Sequence, residues 1–195
     1  MFLKLRTKIR NILQDLSKSS FESFTATASK TFTLAQDNVE KITEITVSGT
    51  SIMESGDNYS YEENSQTVTI DADSVAVNNI VIIYFNYQKY SDSELDSYIL
   101  SALTYLDAYS YPINFCASSG NIDIYPTPKQ KEQNLISMIA SIIIKPDWNS
   151  YRTSSVSVNY PNRLSKEEKI EQLISRFKFS REGITGIIEL DGSSY

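Results

Sequence analysis

The chain has 195 residues, 41% of them hydrophobic and 22% charged, with one cysteine, no histidine and a net charge of −6. This length suits one compact domain, or a domain that carries a smaller inserted module. The absence of histidine excludes Ser-His-Asp catalysis, Cys-His catalysis and metal sites built on imidazole. A lone cysteine, Cys116, excludes internal disulfides and CxxC pairs, so we expect a reducing compartment or a particle assembled in one.

Charge is unevenly distributed along the chain. Residues 1–18 carry five cations and one acid, residues 19–125 carry three cations and fifteen acids, and residues 126–195 carry ten cations and eight acids. The net charges of the three blocks are therefore +4, −12 and +2. Nucleic-acid-binding proteins are usually basic, so specific recognition of DNA or RNA is not expected. An acidic body instead repels DNA, which suits a protein that DNA must pass without adhering.

The first segment predicts an amphipathic helix. Its apolar residues recur at three- and four-residue spacing, and they are Phe2, Leu5, Ile9, Ile12, Leu13 and Leu16. The cations on its other side include Lys4, Lys8 and Arg10. We expect the apolar side to pack on a helical core and these three cations to face an acidic neighbour or DNA phosphates. The alternative is that the cations form a solvated face.

No targeting or membrane-spanning segment is predicted. Cations interrupt the apolar residues at the N-terminus, so the segment lacks the apolar core of a signal peptide. The longest apolar stretch, residues 135–144, is shorter than the roughly 20 residues that a membrane span requires. We therefore expect no membrane partner.

Between about residues 20 and 89 the hydrophobic period changes from 3.6 to 2. Alternating segments rich in β-branched and aromatic residues are separated by turn-forming residues. These segments are Thr31–Leu34, Ile42–Val47, Tyr59–Tyr61, Thr67–Ile70 and Asn79–Tyr87. Strands at such spacing predict a small antiparallel sandwich or barrel. Residues 80–85 are apolar on both faces, so we expect the last strand to be the most buried.

Three further helices are predicted after this β segment. Each begins at a capping box, in which two side chains satisfy free amides of the first turn; the boxes are Ser91–Glu94, Thr127–Gln130 and Ser165–Glu168. Pro128 is expected at the first position of its helix, which should end at Ile144. Residues 147–163 predict a long polar loop.

The last segment, residues 180–195, predicts an extended tail. Three glycines disfavour a helix. Four large aliphatic residues would form an exposed hydrophobic patch on a free monomer. These aliphatic residues are Ile184, Ile187, Ile188 and Leu190. An extended chain with unpaired amides suits addition to a sheet or docking on another subunit, so we expect the tail to become ordered only when it docks.

No constellation of residues predicts catalysis. Six glycines leave no phosphate-binding loop. Asp71 and Asp73 lack the glycine and the bidentate glutamate of a calcium loop, and Asp92, Glu94 and Asp96 suit the start of a helix as capping acids. We therefore expect no catalytic residue, no cofactor and no metal, with a carboxylate-based enzyme as the alternative.

The beginning of the second predicted helix carries a resemblance. The acidic box in Tyr90–Ile99, followed by Ala102 and by Tyr105–Asp107, resembles the start of the helical core in head–tail connector (adaptor) proteins of tailed bacteriophages. The resemblance covers about residues 40–180.

The β segment adds to this resemblance. Residues 45–49, 56–61 and 66–70 resemble the small β modules of phage structural proteins. Those modules usually have a glycine at the turn where this chain has Glu63–Ser65, and Asn64 is the residue expected in the left-handed turn conformation.

The resemblance implies a virion structural protein that is not an enzyme. Members of this family form a ring, usually of twelve copies, in the neck between the portal protein and the tail or stopper protein. The ring forms part of the channel through which double-stranded DNA passes, and C-terminal segments commonly embed in the portal. By this analogy the chain assembles in the host cytoplasm, and its tail docks against the portal.

The predicted fold is α+β. A helical core of about four helices comprises residues 1–19 and 90–179, a small antiparallel β sandwich or barrel is inserted at 20–89, and the extended tail follows at 180–195. We expect Asp92, Asp96 and Asp107 to contribute to a negatively charged channel surface. The alternatives are a tail, baseplate or stopper component with a similar β module, and a cytoplasmic adaptor that binds a partner protein through that module.

Overall fold

The computed structural model describes residues 1–52, 59–71, 75–118, 123–153, 155–161 and 164–179. These residues form a mixed α/β protein with four helices and antiparallel sheets. The chain divides into a helical unit, Met1–Asp15 with Asp92–Tyr195, and a β unit, Leu16–Ser91. The predicted tail, with its four aliphatic docking residues, lies outside the described residues.

The β unit contains two antiparallel sheets. Its described strands are β1 (Lys18–Thr25), β2 (Thr31–Thr33), β3 (Val39–Val47), β4 (Thr50–Ser51), β5 (Tyr59–Glu62), β6 (Thr67–Ile70) and β7 (Ile80–Tyr87). The strand orders are β1-β7-β3-β4 and β2-β6-β5. Ser48 and Gly49, both with positive φ, form a two-residue turn between β3 and β4 that matches the strand twist. Buried side chains of both sheets belong to one hydrophobic cluster.

Strand β7 is central in its sheet, but only one of its faces is fully buried. Val81, Ile83 and Phe85 are buried, whereas Ile80 is 57% exposed. The apolar residues of the other face are partly or largely exposed, because the sheet packs its core on one side only. The left-handed residue near the β5–β6 turn is Gln66 rather than Asn64.

Strand β1 was absent from the sequence prediction. It pairs with β7 over its whole length, from Lys18 opposite Tyr87 to Thr25 opposite Ile80. Phe21 and Phe24 are three residues apart, so they lie on opposite faces and give no period-2 alternation.

The helical unit contains α1 (Phe2–Leu13), α2 (Asp92–Ala108), α3 (Gln130–Ile144) and α4 (Lys166–Phe179). Helix α3 contacts the other three, and its residues 134–142 are all buried, as expected for a central helix. Helix α1 buries Leu5, Ile9 and Leu13 as predicted. It ends there because Gln14 adopts the left-handed conformation, so Leu16 does not extend the apolar face and is exposed.

Of three predicted details of the helix boundaries, two are confirmed and one is wrong. The box at Ser165 is confirmed, since Ser165 N donates to Glu168 Oε2 (2.7 Å) and Glu168 N donates to Ser165 Oγ (3.2 Å). The end of α3 at Ile144 is also confirmed. Its predicted start is wrong, because Lys129 is the N-cap and the buried Pro128 precedes the helix, where its carbonyl accepts a bond from Gln133 Nε2.

The predicted loop at 147–163 contains a short hairpin. Two further strand pairs lie in the helical unit: β8 (Cys116–Ala117) with β9 (Ile124–Tyr125), and β10 (Ser150–Arg152) with β11 (Ser157–Asn159). Tyr151 and Val158, which face each other in the second pair, are buried. This hairpin is therefore part of the helical unit's packed interior.

Candidate functional site

An ion network joins helix α1 to the start of helix α2. Arg6 donates two hydrogen bonds to Asp96, from Nε to Oδ1 at 2.7 Å and from Nη2 to Oδ2 at 2.6 Å. Its Nη1 donates a third hydrogen bond, to Asp92 Oδ2 at 2.7 Å. The hydrogen bond with Asp96, opposed in part by burial, raises the pKa of Arg6 above its ordinary value. Bidentate pairs of this kind have a fixed geometry, so they set the position of α1 against α2.

Arg10 extends the network to the two chain ends between which the β unit is inserted. Its Nη1 donates to Asp15 Oδ2 at 2.7 Å, and its Nη2 donates to Asp92 Oδ1 at 2.9 Å. Asp15 is the last residue of the helical unit before the β unit, and Asp92 is the first residue after it. One guanidinium therefore holds both chain ends together. We call Arg6, Arg10, Asp15, Asp92 and Asp96 the stem network.

The three predicted channel acids fall into two environments. Asp92 and Asp96 both belong to the stem network, and Asp96 is buried. Asp107 is exposed about three helical turns further along α2. Since arginines neutralise the first two carboxylates, Asp107 is the one of the three whose charge is unpaired by any salt bridge among the described residues.

The three predicted partner-facing cations are also placed differently from one another. Lys8 Nζ donates to Asn134 Oδ1 at 2.6 Å, and Asn134 Nδ2 donates to Ser155 Oγ at 2.7 Å. Desolvation lowers the pKa of Lys8. Arg10 belongs to the stem network, and Lys4 is exposed. Two of the three cations thus bind groups of their own helical unit.

A buried lysine on α4 fixes the segment that follows α3. Lys169 is 2% exposed, and its Nζ donates to Pro146 O (2.6 Å), Trp148 O (3.0 Å) and Asn149 Oδ1 (3.3 Å). The Lys169 carbonyl accepts a bond from Tyr160 Oη at 3.0 Å. This ammonium is fully supplied with acceptors, so its role is structural.

The β unit exposes apolar residues on one face of its larger sheet. Phe21 on β1 is 59% exposed and contacts the Tyr84 ring (centroids 5.6 Å apart), and Ile82 and Ile80 follow along β7. Phe21 lies opposite Tyr84, which has Glu44 of β3 on its other side. The residues opposite Ile82 and Ile80 on the neighbouring strands are Ser23, Thr25 and Thr46. We call this surface the outward face.

The two units differ in net formal charge. The helical unit has fourteen cations and fourteen acids, whereas the β unit has four cations and ten acids. The β unit therefore carries the whole net charge of −6. Within the described residues no group of three or more histidine, cysteine, aspartate or glutamate side chains is arranged to hold a metal ion.

The described helices are all too short or too polar to cross a membrane. Comparison of the chain with protein-family models and with curated protein sequences finds no match.

Arg6 and Lys169 were not predicted from the sequence, and Arg10 was predicted to face a partner rather than to bind acids of its own unit. Arg6 and Arg10 are four residues apart on one face of α1, a spacing that lets both reach one carboxylate group of a neighbouring helix. Lys169 stands four residues before Leu173 on the buried side of α4. A lysine at a position that helical spacing assigns to the apolar side of a helix indicates a buried, hydrogen-bonded ammonium, and this pattern could have identified Lys169.

Proposed function

We propose that the protein is a structural subunit of a head–tail connector ring in a tailed-phage virion, with no catalytic role. The observation that carries the proposal is the organisation of the chain: a charge-neutral helical unit interrupted between its first and second helices by a β unit of net charge −6. This organisation suits a helical ring body that carries an acidic β insertion. The resemblance at Tyr90–Ile99 supports the same assignment.

The two sheets of the β unit support the finer proposal of a small sandwich, since both contribute to one hydrophobic cluster. The ring would be homo-oligomeric, with the portal protein on one side and a tail or stopper protein on the other. Twelve copies remain the family expectation.

The electrostatic part of the proposal changes with the stem network. Because arginines bind Asp92 and Asp96, we assign the repulsion of DNA mainly to the net charge of the β unit, with Asp107 contributing on α2. Like charge keeps passing DNA from adhering to the channel wall.

Negative-stain imaging and mass measurement of the purified full chain over a range of concentrations test the proposal. We expect closed rings whose opening admits a DNA duplex, and no retention of double-stranded DNA at about 0.1 M salt, where a basic channel would bind it. Monomers at every concentration would refute the ring and favour the alternative of a partner-binding adaptor, to which the exposed outward face is also suited. Position along the axis of a whole virion separates a connector from a tail, baseplate or stopper component.

A further inference from the structure

Strand β1 has a long free edge. It is the terminal strand of its sheet, and no described strand lies on its other side. Ala26 N donates to Asn79 O on the β7 side, and backbone direction alternates along a strand. Ser19, Phe21, Ser23 and Thr25 therefore direct their N–H and C=O groups away from β7.

This edge lacks most of the features that usually protect an edge strand from pairing, since its one cation, Lys18, stands at the end of the strand. Protected edges are short, bulged, proline-containing or charged. The other terminal strands fit this description, with two residues in β4, three in β2 and four in β5. Strand β1 has eight residues in unbroken register and no proline. Its acid, Glu22, does not guard the edge, because its carboxylate accepts bonds from the amides of Ala35 and Gln36.

The free edge also adjoins the outward face. Phe21 stands at the middle of β1 with only Tyr84 beside it among the aromatic contacts, and it is 59% exposed. An added strand would cover this ring from the side opposite β7. Serines occupy the positions two residues before and after Phe21, which leaves room for large side chains from a neighbouring strand.

We propose that β1 is extended by residues 180–195 of a second copy of this chain, which pair with it as an antiparallel strand. This inference rests on the proposed ring and specifies one of its contacts between subunits, in place of the docking against the portal that the family analogy implies for the same residues. The segment is 16 residues long, contains no proline and would span about 50 Å when extended, more than the eight residues of β1 require.

One pairing register between β1 and residues 180–195 places apolar residues beside Phe21 and also brings opposite charges together. When Gly186 lies opposite Phe21, the aromatic ring covers the glycine, and Ile184 and Ile188 lie opposite Ser23 and Ser19. Alternation places these two isoleucines on the outward face, beside Phe21. The same register sets Glu189 opposite Lys18, an opposite-charge pair across the strands.

Cross-linking of the full chain tests this register. In a background with Cys116→Ser, one copy carries Lys18→Cys and a co-expressed copy carries Glu189→Cys. Since residues 18 and 189 would form a non-hydrogen-bonded pair, their Cβ atoms would be about 5 Å apart, within reach of a disulfide. In a ring built from equal amounts of the two variants, about a quarter of the contacts join the two substituted positions, so we expect up to about half of the protein to run as a covalent dimer without reductant. The matched control pairs Lys18→Cys with Glu182→Cys, which the register places about 23 Å apart, and it should stay monomeric on the same gel.

Equal cross-linking in both pairs, or none in the first pair, would overturn the proposal. A disulfide that forms only when both substitutions are in one copy would mean that the segment folds back on its own chain, and this also refutes it. Images of the same samples separate the two proposals: rings without the cross-link leave the connector assignment standing, whereas cross-linked open chains contradict the connector and support the strand pairing.

Discussion

Replacing Arg10 by methionine tests whether the stem network stabilises the helical unit. The substitution keeps much of the side-chain volume and removes the charge that faces Asp15 and Asp92. The Asp15 side chain is 3% exposed and that of Asp92 is 56% exposed. The first pair is therefore buried and the second lies largely in water.

The magnitude follows from these two environments. Removing one partner of a buried ion pair costs about 3–5 kcal/mol, whereas an exposed pair contributes no more than about 1 kcal/mol. We expect Arg10→Met to lower the free energy of unfolding by about 3 kcal/mol, most of it from Asp15. Arg10→Lys should have an intermediate effect, because one ammonium does not reproduce the two-sided grip of the guanidinium.

Urea unfolding followed by tryptophan fluorescence measures this effect. Trp148 is the only tryptophan of the chain and belongs to the helical unit, so its signal reports on that unit. A loss of about 3 kcal/mol should move the midpoint by about 1–3 M urea. The matched control is Lys4→Met, which removes an exposed cation from the same helix and should change stability by less than about 0.5 kcal/mol.

A double-mutant cycle with Asp15→Asn isolates the pair itself. We expect the double variant to be less destabilised than the sum of the two single variants, with a coupling of about 1–3 kcal/mol. If Arg10→Met behaves like Lys4→Met, or if the two substitutions are additive, the stem network contributes no stability and the reasoning fails.

The remaining predictions concern the other buried polar groups and the outward face. Lys169→Met should destabilise the helical unit by about 2–4 kcal/mol, because two partly buried carbonyls lose their donor. Lys166→Met, whose ammonium pairs with the exposed Glu167, should cost less than about 1 kcal/mol in the same urea assay. Burial raises the pKa of the Tyr160 phenol far above its ordinary value of 10.0, so the neutral form stabilises the fold below about pH 10 and this contribution is lost as pH rises beyond it. Tyr160→Phe should therefore show a shallower loss of stability between about pH 9.5 and 11 than the unchanged protein, and equal slopes would contradict this assignment. Phe21→Ser should change the free energy of unfolding by less than about 0.5 kcal/mol, followed here by circular dichroism because Trp148 belongs to the helical unit and Phe21 to the β unit. It should weaken ring formation in mass measurements, while an undiminished ring would exclude the outward face from assembly.

Local sequence patterns predicted the elements whose signals repeat along the chain. The four helices, the end of α3 at Ile144 and the capping box at Ser165 follow from periodicity and from side chains close in sequence. Strand β1 was not predicted, because its two phenylalanines lie on opposite faces and give no alternating pattern. The start of α3 was misplaced because Pro128 is used as a buried residue before the helix rather than within it.

The stem network depends on contacts that no local pattern contains. Arg6 and Asp96 are 90 positions apart, and Arg10 and Asp92 are separated by the whole β unit. The acids of the box at Ser91 could be recognised as helix-start residues, but the cations that bind them became visible only when α1 was placed against α2. A count of charges along the sequence treats Asp92 and Asp96 as unpaired acids, whereas in the fold arginines of α1 neutralise both.

The separation of charge between units leads to a final prediction about assembly. If copies of this chain form a ring, β units of net charge −6 are brought near one another and repel. The contacts available to oppose this repulsion are the apolar residues of the outward face and the backbone groups at the free edge of β1. The proposed Lys18–Glu189 pair is a single pair at the end of the strand and contributes no more than about 1 kcal/mol. Screening should therefore help assembly: raising the salt from about 0.05 M to 0.5 M shortens the Debye length severalfold and should shift the subunit–ring equilibrium towards rings. Mass photometry at a fixed protein concentration measures this shift, with a neutral osmolyte as control for general solvent effects. Rings that dissociate as salt rises would show that ion pairs between subunits hold the assembly, contrary to an apolar and backbone-paired contact.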